Sequence, residues 1–308
     1  MIHREGMCKP GAVLFFLAAL LVPLAAEEPA DLFERIDENY LESRFEENAD
    51  LLEEAASVVS GPQERAEYLW RLSRNTLSLT DELRRAGASD NKLLDGYGKG
   101  EEYADEALSL VSDSHNAYYW RASNAGRWGQ TKGILNSLMK AKPMRDDLAK
   151  AVNIEEDHAD SYYVLGMLYA SVPSLISFGN QEYAVSYSRK AIDVYDGERT
   201  KYVYYLKLAE HLWDRKWGSR KREKSFYGLE DNYRSAGTAE ERNKYYEGVF
   251  DSAASRPYSA GGVKKLSDRE EARKIISWLI KELESSRDLN SSEKETLEDA
   301  RELQAAWN

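Results

Sequence analysis

Beyond residue 30, apolar side chains recur at intervals of three and four along almost the whole chain, and alternating runs of strand type are nearly absent. That pattern predicts an all-α protein. Helix starts are marked as well. Gly61-Pro62 sets a proline in the first turn ahead of QERAEYLWRLSRNTL, and three S/T-x-x-E pairs follow: Thr238 with Glu241, Ser267 with Glu270 and Ser292 with Glu295. In such a pair the hydroxyl and the carboxylate satisfy free backbone N–H groups at a helix start. Only the beginning of the chain breaks the periodicity. Arg4 and Lys9 precede the continuous apolar run AVLFFLAALLVPLAA, and Glu27 opens an acidic stretch, which predicts residues 1–26 as a secretory signal cut after Leu24-Ala25-Ala26. The other reading, a retained anchor, asks for about 20 apolar residues, more than this run holds.

The helical pattern repeats. Tyr doublets stand at 118–119, 162–163, 204–205 and 245–246, and DEALSL, AKAVNI and RKAIDV, with Ala107, Ala151 and Ala191, lie ahead of the first three. Two features recurring together roughly 40 residues apart predict stacked helix pairs that bury their apolar faces against one another. The side-chain code is of the tetratricopeptide type rather than the HEAT type. Tyr162-x-x-Leu165-Gly166-x-x-Tyr169 gives the large residues and the one small residue of a first helix, and Ala184 and Ala191 give the small residues of a second. The intervening ASVPSLISFGN, with Pro173 ending the first helix, accounts for the long period. A third unit fits less well, as Tyr205-x-x-Leu208-Ala209-x-x-Leu212.

The expected architecture is therefore a tetratricopeptide-like helical-hairpin solenoid with capping helices. It forms one domain over 27–308: an N-terminal helix pair at 31–90, core repeats at 98–212, an insertion at 213–266 and C-terminal capping helices at 267–308. Gly96-Tyr97-Gly98-Lys99-Gly100 has neither the spacing nor the ending of a phosphate loop and reads as a flexible linker.

The succession of AYYWRASNAGRWG, the DEAL and KAV helices, ADSYYVLGMLYASVPSLISFGNQEYAVSYSRKAI and YYLKLAEHLWDRK, over roughly residues 100–215, resembles the tetratricopeptide T-component proteins associated with TRAP transporters. More distantly it resembles regulators of microtubule dynamics. The first resemblance implies an extracytoplasmic helical protein that works with the transporter's periplasmic solute-binding protein; the second concerns the fold. Phe178-Gly179 stands where the first family has Gly-Gly, and 214–266 is an insertion atypical of it. No ligand residue is carried over.

Composition narrows the chemistry. The net charge of −12 argues against a nucleic-acid partner. Cys8 is the only cysteine and precedes the apolar run, so cleavage leaves no thiol, no disulfide and no lipid-accepting cysteine. Export without disulfides suits a periplasmic or otherwise extracytoplasmic protein. His115, His158 and His211 are the histidines beyond the signal; the first two precede first helices and read as turn residues. There is no HExxH, and Glu155-Glu156-Asp157 lacks the alternation and glycine of a calcium loop. The expectation is a non-enzyme with no cofactor and no metal.

Two surfaces are candidates for contact. Tyr163 is rotated about 100° from the Tyr162 stripe. With Met167, and with Tyr119 one repeat earlier, it marks either a ligand groove on the inner face of the array or a contact with the inserted segment. Trp217, Arg220, Lys221 and Arg222 lie in the one strongly basic run and mark either a site that docks a partner or a membrane surface, or a solvated inter-helix loop. The expected function is an exported interaction protein. It would work with a periplasmic solute-binding protein or another envelope protein and shelter a small, partly apolar ligand. The alternatives are a general envelope scaffold without a small ligand and, less favoured, a carboxylate-dependent hydrolase. A homo-oligomer stays open.

Overall fold

The computed structural model describes residues 28–175, 177–250, 256–258 and 265–307, so the predicted signal and Cys8 lie outside the described residues. Among these residues there are thirteen α-helices and no strand. They are α1 Pro29–Leu41, α2 Phe45–Val58, α3 Pro62–Arg85, α4 Asp90–Leu110, α5 His115–Lys132, α6 Ile134–Ile154, α7 Ala159–Ser171, α8 Gln181–Val194, α9 Tyr202–Arg215, α10 Ser219–Ser235, α11 Ala239–Asn243, α12 Asp268–Ser285 and α13 Ser291–Trp307. A 3₁₀ turn, Tyr246–Gly248, follows α11. None of the described helices is long and apolar enough to cross a membrane.

Three consecutive hairpins, α3/α4, α5/α6 and α7/α8, form the body of an all-α helical-repeat solenoid. Their first helices run parallel. At one edge Arg84, ending α3, donates to Thr131 Oγ1 near the end of α5 at 3.1 Å. At the other edge the rings of His115 and His158, at the starts of α5 and α7, lie 5.3 Å apart, and Lys201 before α9 bonds Asp160 of α7 at 2.7 Å. The helix-pair code holds. Tyr162, Leu165 and Tyr169 are buried, and Ala107, Ala151, Ala184 and Ala191 are fully so. A Cβ at Gly166 would lie 3.0 Å from Ser188 Oγ and 3.3 Å from the Ala184 carbonyl, so the small residue sets how closely α7 meets α8. A Cβ at Gly179 would lie 1.6 Å from the Val172 carbonyl oxygen; one glycine suffices for the return of this loop, but no larger residue fits.

The glycine-rich 96–100 stretch corrects the expectation of a linker. It is interior to α4, where a Cβ at Gly96 would fall 2.3 Å from Thr80 Oγ1 of α3 and one at Gly100 would fall 2.2 Å from Asn124 Oδ1 of α5. Ser73 Oγ also donates to the Gly100 carbonyl at 2.7 Å. Tertiary contact on two sides outweighs the roughly 1 kcal/mol that each glycine costs a helix. The first complete hairpin accordingly begins at Pro62 rather than at 98, and α1 and α2 cap it.

The insertion has a definite place. The partner of α9 is α12, and α10, α11 and the 3₁₀ turn are inserted between the two halves of this last hairpin. Thr238 Oγ1 accepts from Glu241 N at 3.2 Å, yet α11 runs only five residues. Ser267 and Glu270 form the reciprocal capping box expected for α12. For α13 the box is Asn290 with Glu293, not Ser292 with Glu295: Glu293 N donates to Asn290 Oδ1 at 2.9 Å, and Asn290 N to Glu293 Oε2 at 3.0 Å. Asn caps as well as Ser does. At the C-terminal end Trp307 stacks on Trp213 with ring centroids 4.3 Å apart.

Candidate functional site

In the N-terminal half, the first helices leave a cavity of about 210 Å³, lined by Asp37, Tyr40 and Leu41 of α1, Trp70 and Arg74 of α3, Asn116, Tyr119 and Trp120 of α5, and His158 and Asp160 at the start of α7. Helix spacing puts these residues there. Trp70 and Arg74 are one turn apart on α3, as are Asn116 and Trp120 on α5. The packing turns ring faces and edges toward one another: Tyr40 meets Trp120 edge-on at 5.9 Å, Tyr119 meets Trp120 at 4.7 Å, and Tyr119 lies 5.0 Å from the His158 ring. Trp70 Nε1 donates to Glu67 at 2.8 Å, which satisfies its polar edge.

Charge is built into the wall. The buried Arg74 guanidinium sits 4.2 Å from the Tyr40 ring and donates to Asp37 at 2.6 Å, and Arg71 donates to the same carboxylate at 2.7 Å. Arg74 Nε has no hydrogen-bond partner, and burial lowers the pKa of this group against the opposing pull of Asp37. Across the cavity Asp160 accepts from Lys201 and from the Tyr204 hydroxyl. Burial alone would raise the Asp160 carboxyl, but the Lys201 ammonium and these hydrogen bonds hold it below its ordinary value. His158 caps α7 by accepting from Ser161 N at 3.2 Å, and burial, reinforced by His115, pushes its pKa down to about 4. Burial raises the Tyr40 and Tyr119 hydroxyl pKa values, with Asp160 acting in the same direction. The Ser161 hydroxyl lies 2.9 Å from His158 Nδ1 but is fully buried, so the pair does not present a nucleophile to the cavity. Among the described residues no group of three His, Cys, Asp or Glu is arranged to hold a metal ion.

Of the residues expected at a groove, Tyr119 lines this cavity. Tyr163 stands one layer behind it, stacked on Tyr204 of α9 at 4.8 Å and 20°, so its contact is with the next first helix rather than with the cavity or the insertion. Met167 is half-buried and does not line the cavity. The basic run is corrected further. Residues 219–235 form α10, and Trp217 and Arg222 are buried. Trp217 is covered by Arg215 and Lys221 at 4.4 and 4.2 Å, and Arg222 pairs with Glu271 at 2.8 Å in an internal charge cluster, so neither is available to a docking partner. Arg220 and Lys221 are exposed. The other nine lining residues have no sequence signal of their own. They come from four helices, and although spacing within a helix aligns Trp70 with Arg74 and Asn116 with Trp120, no local spacing links one helix to the next.

The stacked hairpins and capped ends define the class: an all-α helical-repeat protein of the kind used in protein interaction. Residues 32–192, just over half of the chain, match the family described as regulator of microtubule dynamics protein 1-3, and the chain belongs to that family. Regulator of microtubule dynamics protein 1 of Pongo abelii is 28% identical over 149 residues, 42% of this chain and 45% of that protein. The chain thus spans under half of that relative's length. Of the two resemblances in the sequence, the more distant is the one that the family match carries, and the matched region contains every residue of the cavity.

Proposed function

We propose that this protein is a binding module that holds a small ligand with an aromatic or apolar body and a polar or charged group in the α1–α3–α5–α7 cavity, without making or breaking a bond. The observation that carries the reading is the meeting of four aromatic side chains, Tyr40, Trp70, Tyr119 and Trp120, with the charged side chain of Arg74 in the wall of one cavity. Aromatic faces give broad apolar contact, and a guanidinium inside a low-dielectric wall favours an acceptor group on the ligand. The volume is below the roughly 300–1,000 Å³ usual for drug-sized ligands, so the occupant, or the part of it that enters, is small. Native mass spectrometry of the purified protein tests this. A retained non-protein mass that disappears in Tyr119→Ala and Arg74→Met variants is expected. Protein that carries no such mass, or variants that retain it unchanged, would sink the reading.

A second reading rests on the apolar N-terminal run and on the resemblance over residues 100–215: an extracytoplasmic partner of a TRAP-type solute-binding protein. Co-purification with such a protein supports it. Absence of binding to any solute-binding protein of its own organism refutes it. The microtubule regulation named for the relative is that protein's; for this chain it is a third proposal, tested by co-sedimentation with assembled microtubules.

A further inference from the structure

The edge of the solenoid where the first helices end has a character of its own. From Lys132 to Arg145 the chain holds four basic residues and no acidic one, in a protein of net charge −12. This stretch closes α5 and opens α6. Leu135 and Met139, one turn apart on α6, are each 72% exposed, and the exposed Lys142 continues the same face. In the adjoining α7–α8 loop Leu175 is 97% exposed, and Phe178 anchors that loop 4.7 Å from the Arg145 guanidinium of α6. Lys140 and Arg145 pair with Glu101 and Asp146, whereas among the described residues no carboxylate pairs with Lys132 or Lys142. Farther along this edge, where α9 ends and α10 starts, Lys216, Arg220 and Lys221 are exposed. The opposite edge carries Asp113 and Glu155-Glu156-Asp157.

From this we infer that the α5–α6 and α7–α8 turns form a membrane-docking edge, in which Leu135, Met139 and Leu175 enter the headgroup boundary of an anionic bilayer while Lys132 and Lys142 meet its phosphates. The charge selects this occupant. In an acidic molecule this edge holds Lys132 and Lys142 exposed without a paired carboxylate among the described residues, and the apolar side chains there are separate projecting tips, not a groove that a helix or strand would fill. Apolar tips flanked by lysine are the chemistry of interfacial binding, with the acidic edge facing away from the anionic surface. The inference is independent of what occupies the cavity.

The test uses the full chain carrying Cys8→Ser, with one introduced cysteine bearing an environment-sensitive fluorophore, and phosphatidylcholine vesicles with or without phosphatidylserine. A Leu175→Cys label is expected to brighten several-fold and shift to the blue only with phosphatidylserine, while an Asp113→Cys label on the opposite edge stays unchanged. Lys132→Glu with Lys142→Glu is expected to weaken the response roughly tenfold or more, since each lysine near an anionic surface contributes a factor of about five. A silent label at 175, an equal response at 113, or an equal response to pure phosphatidylcholine overturns the proposal. The first of these outcomes would leave an acidic protein surface as the partner of this edge.

Discussion

Single positions in this chain are decided by what lies opposite them. Gly100 belongs to a stretch that reads as a linker in sequence, yet in α4 it faces Asn124, whose Nδ2 donates to the Trp120 carbonyl at 2.9 Å and to Ser73 Oγ at 3.1 Å. Gly100→Ala drives a methyl group into this amide; the expected loss is about 1–3 kcal/mol, read as a lower urea midpoint with an unchanged slope. The histidines give a second test. His211 is buried on α9 against Ser188 Oγ at 2.8 Å, and burial pushes its pKa down to about 3, with His158 at about 4. Unfolded, each has its ordinary value near 6.5, so below that pH the unfolded chain binds protons that the fold refuses. Stability is therefore expected to be full above about pH 6.5 and to fall as the pH drops toward 4, with His158, which is less buried, contributing less than His211. Glu247 and Glu271, held low against burial by Arg189 and its neighbours, add a second loss below about pH 4.5. Urea midpoints across this range should show the first decline flattened in His211→Gln; an unchanged profile in that variant would place the titration elsewhere. The buried stripe of Tyr162, Leu165, Gly166 and Tyr169 was legible because helix period and side-chain size are local properties. The facing of Gly100 on Asn124 was not, because the two residues sit on different helices.

At the scale of elements, the insertion is held by charge inside the protein. Arg189 of α8, Arg215 of α9 and Arg222 of α10 meet Glu247 of the 3₁₀ turn and Asp268 and Glu271 of α12, all six nearly or fully buried. Arg189 pairs with Glu247 and, at 2.8 Å, with Glu271; Arg215 bonds Asp268 through two contacts of 2.8 Å; and Tyr258 donates to Glu271 at 2.9 Å. Three cations and three carboxylates balance, so each charge has a partner where water cannot supply one. Glu271→Gln leaves Arg189 and Arg222 under-compensated and is expected to cost about 3–5 kcal/mol. Cutting the exposed Arg65–Glu106 pair should cost no more than about 1 kcal/mol. Chemical denaturation of the two variants side by side distinguishes the cases. Here the sequence misled in an instructive way. A run of arginines and lysines beside tryptophans reads as a surface, but Arg215 and Arg222 turn inward because the acids they pair with lie 25 to 53 residues farther along.

For the whole molecule, the arrangement is a row in which each hairpin touches its neighbours, so damage should remain local. Trp307→Ala removes the ring stacked on Trp213 and is expected to cost about 3–5 kcal/mol. Amide exchange should then accelerate in α9, α12 and α13, while α3 to α5 keep their protection; uniform acceleration would mean that the array unfolds as a single unit. By itself the sequence determined the helical class, the tetratricopeptide-like hairpins in the middle of the chain and the caps of α3 and α12, because periodicity, small residues and capping pairs act within one or two turns. The tertiary structure alone decided that α12 completes the hairpin begun by α9, that Tyr163 packs on Tyr204 while Tyr119 opens on a cavity, and that residues of α1, α3, α5 and α7 surround that cavity. Those outcomes depend on which helix faces meet across long stretches of chain, and the pairing is fixed by burial and charge compensation, which no local spacing encodes.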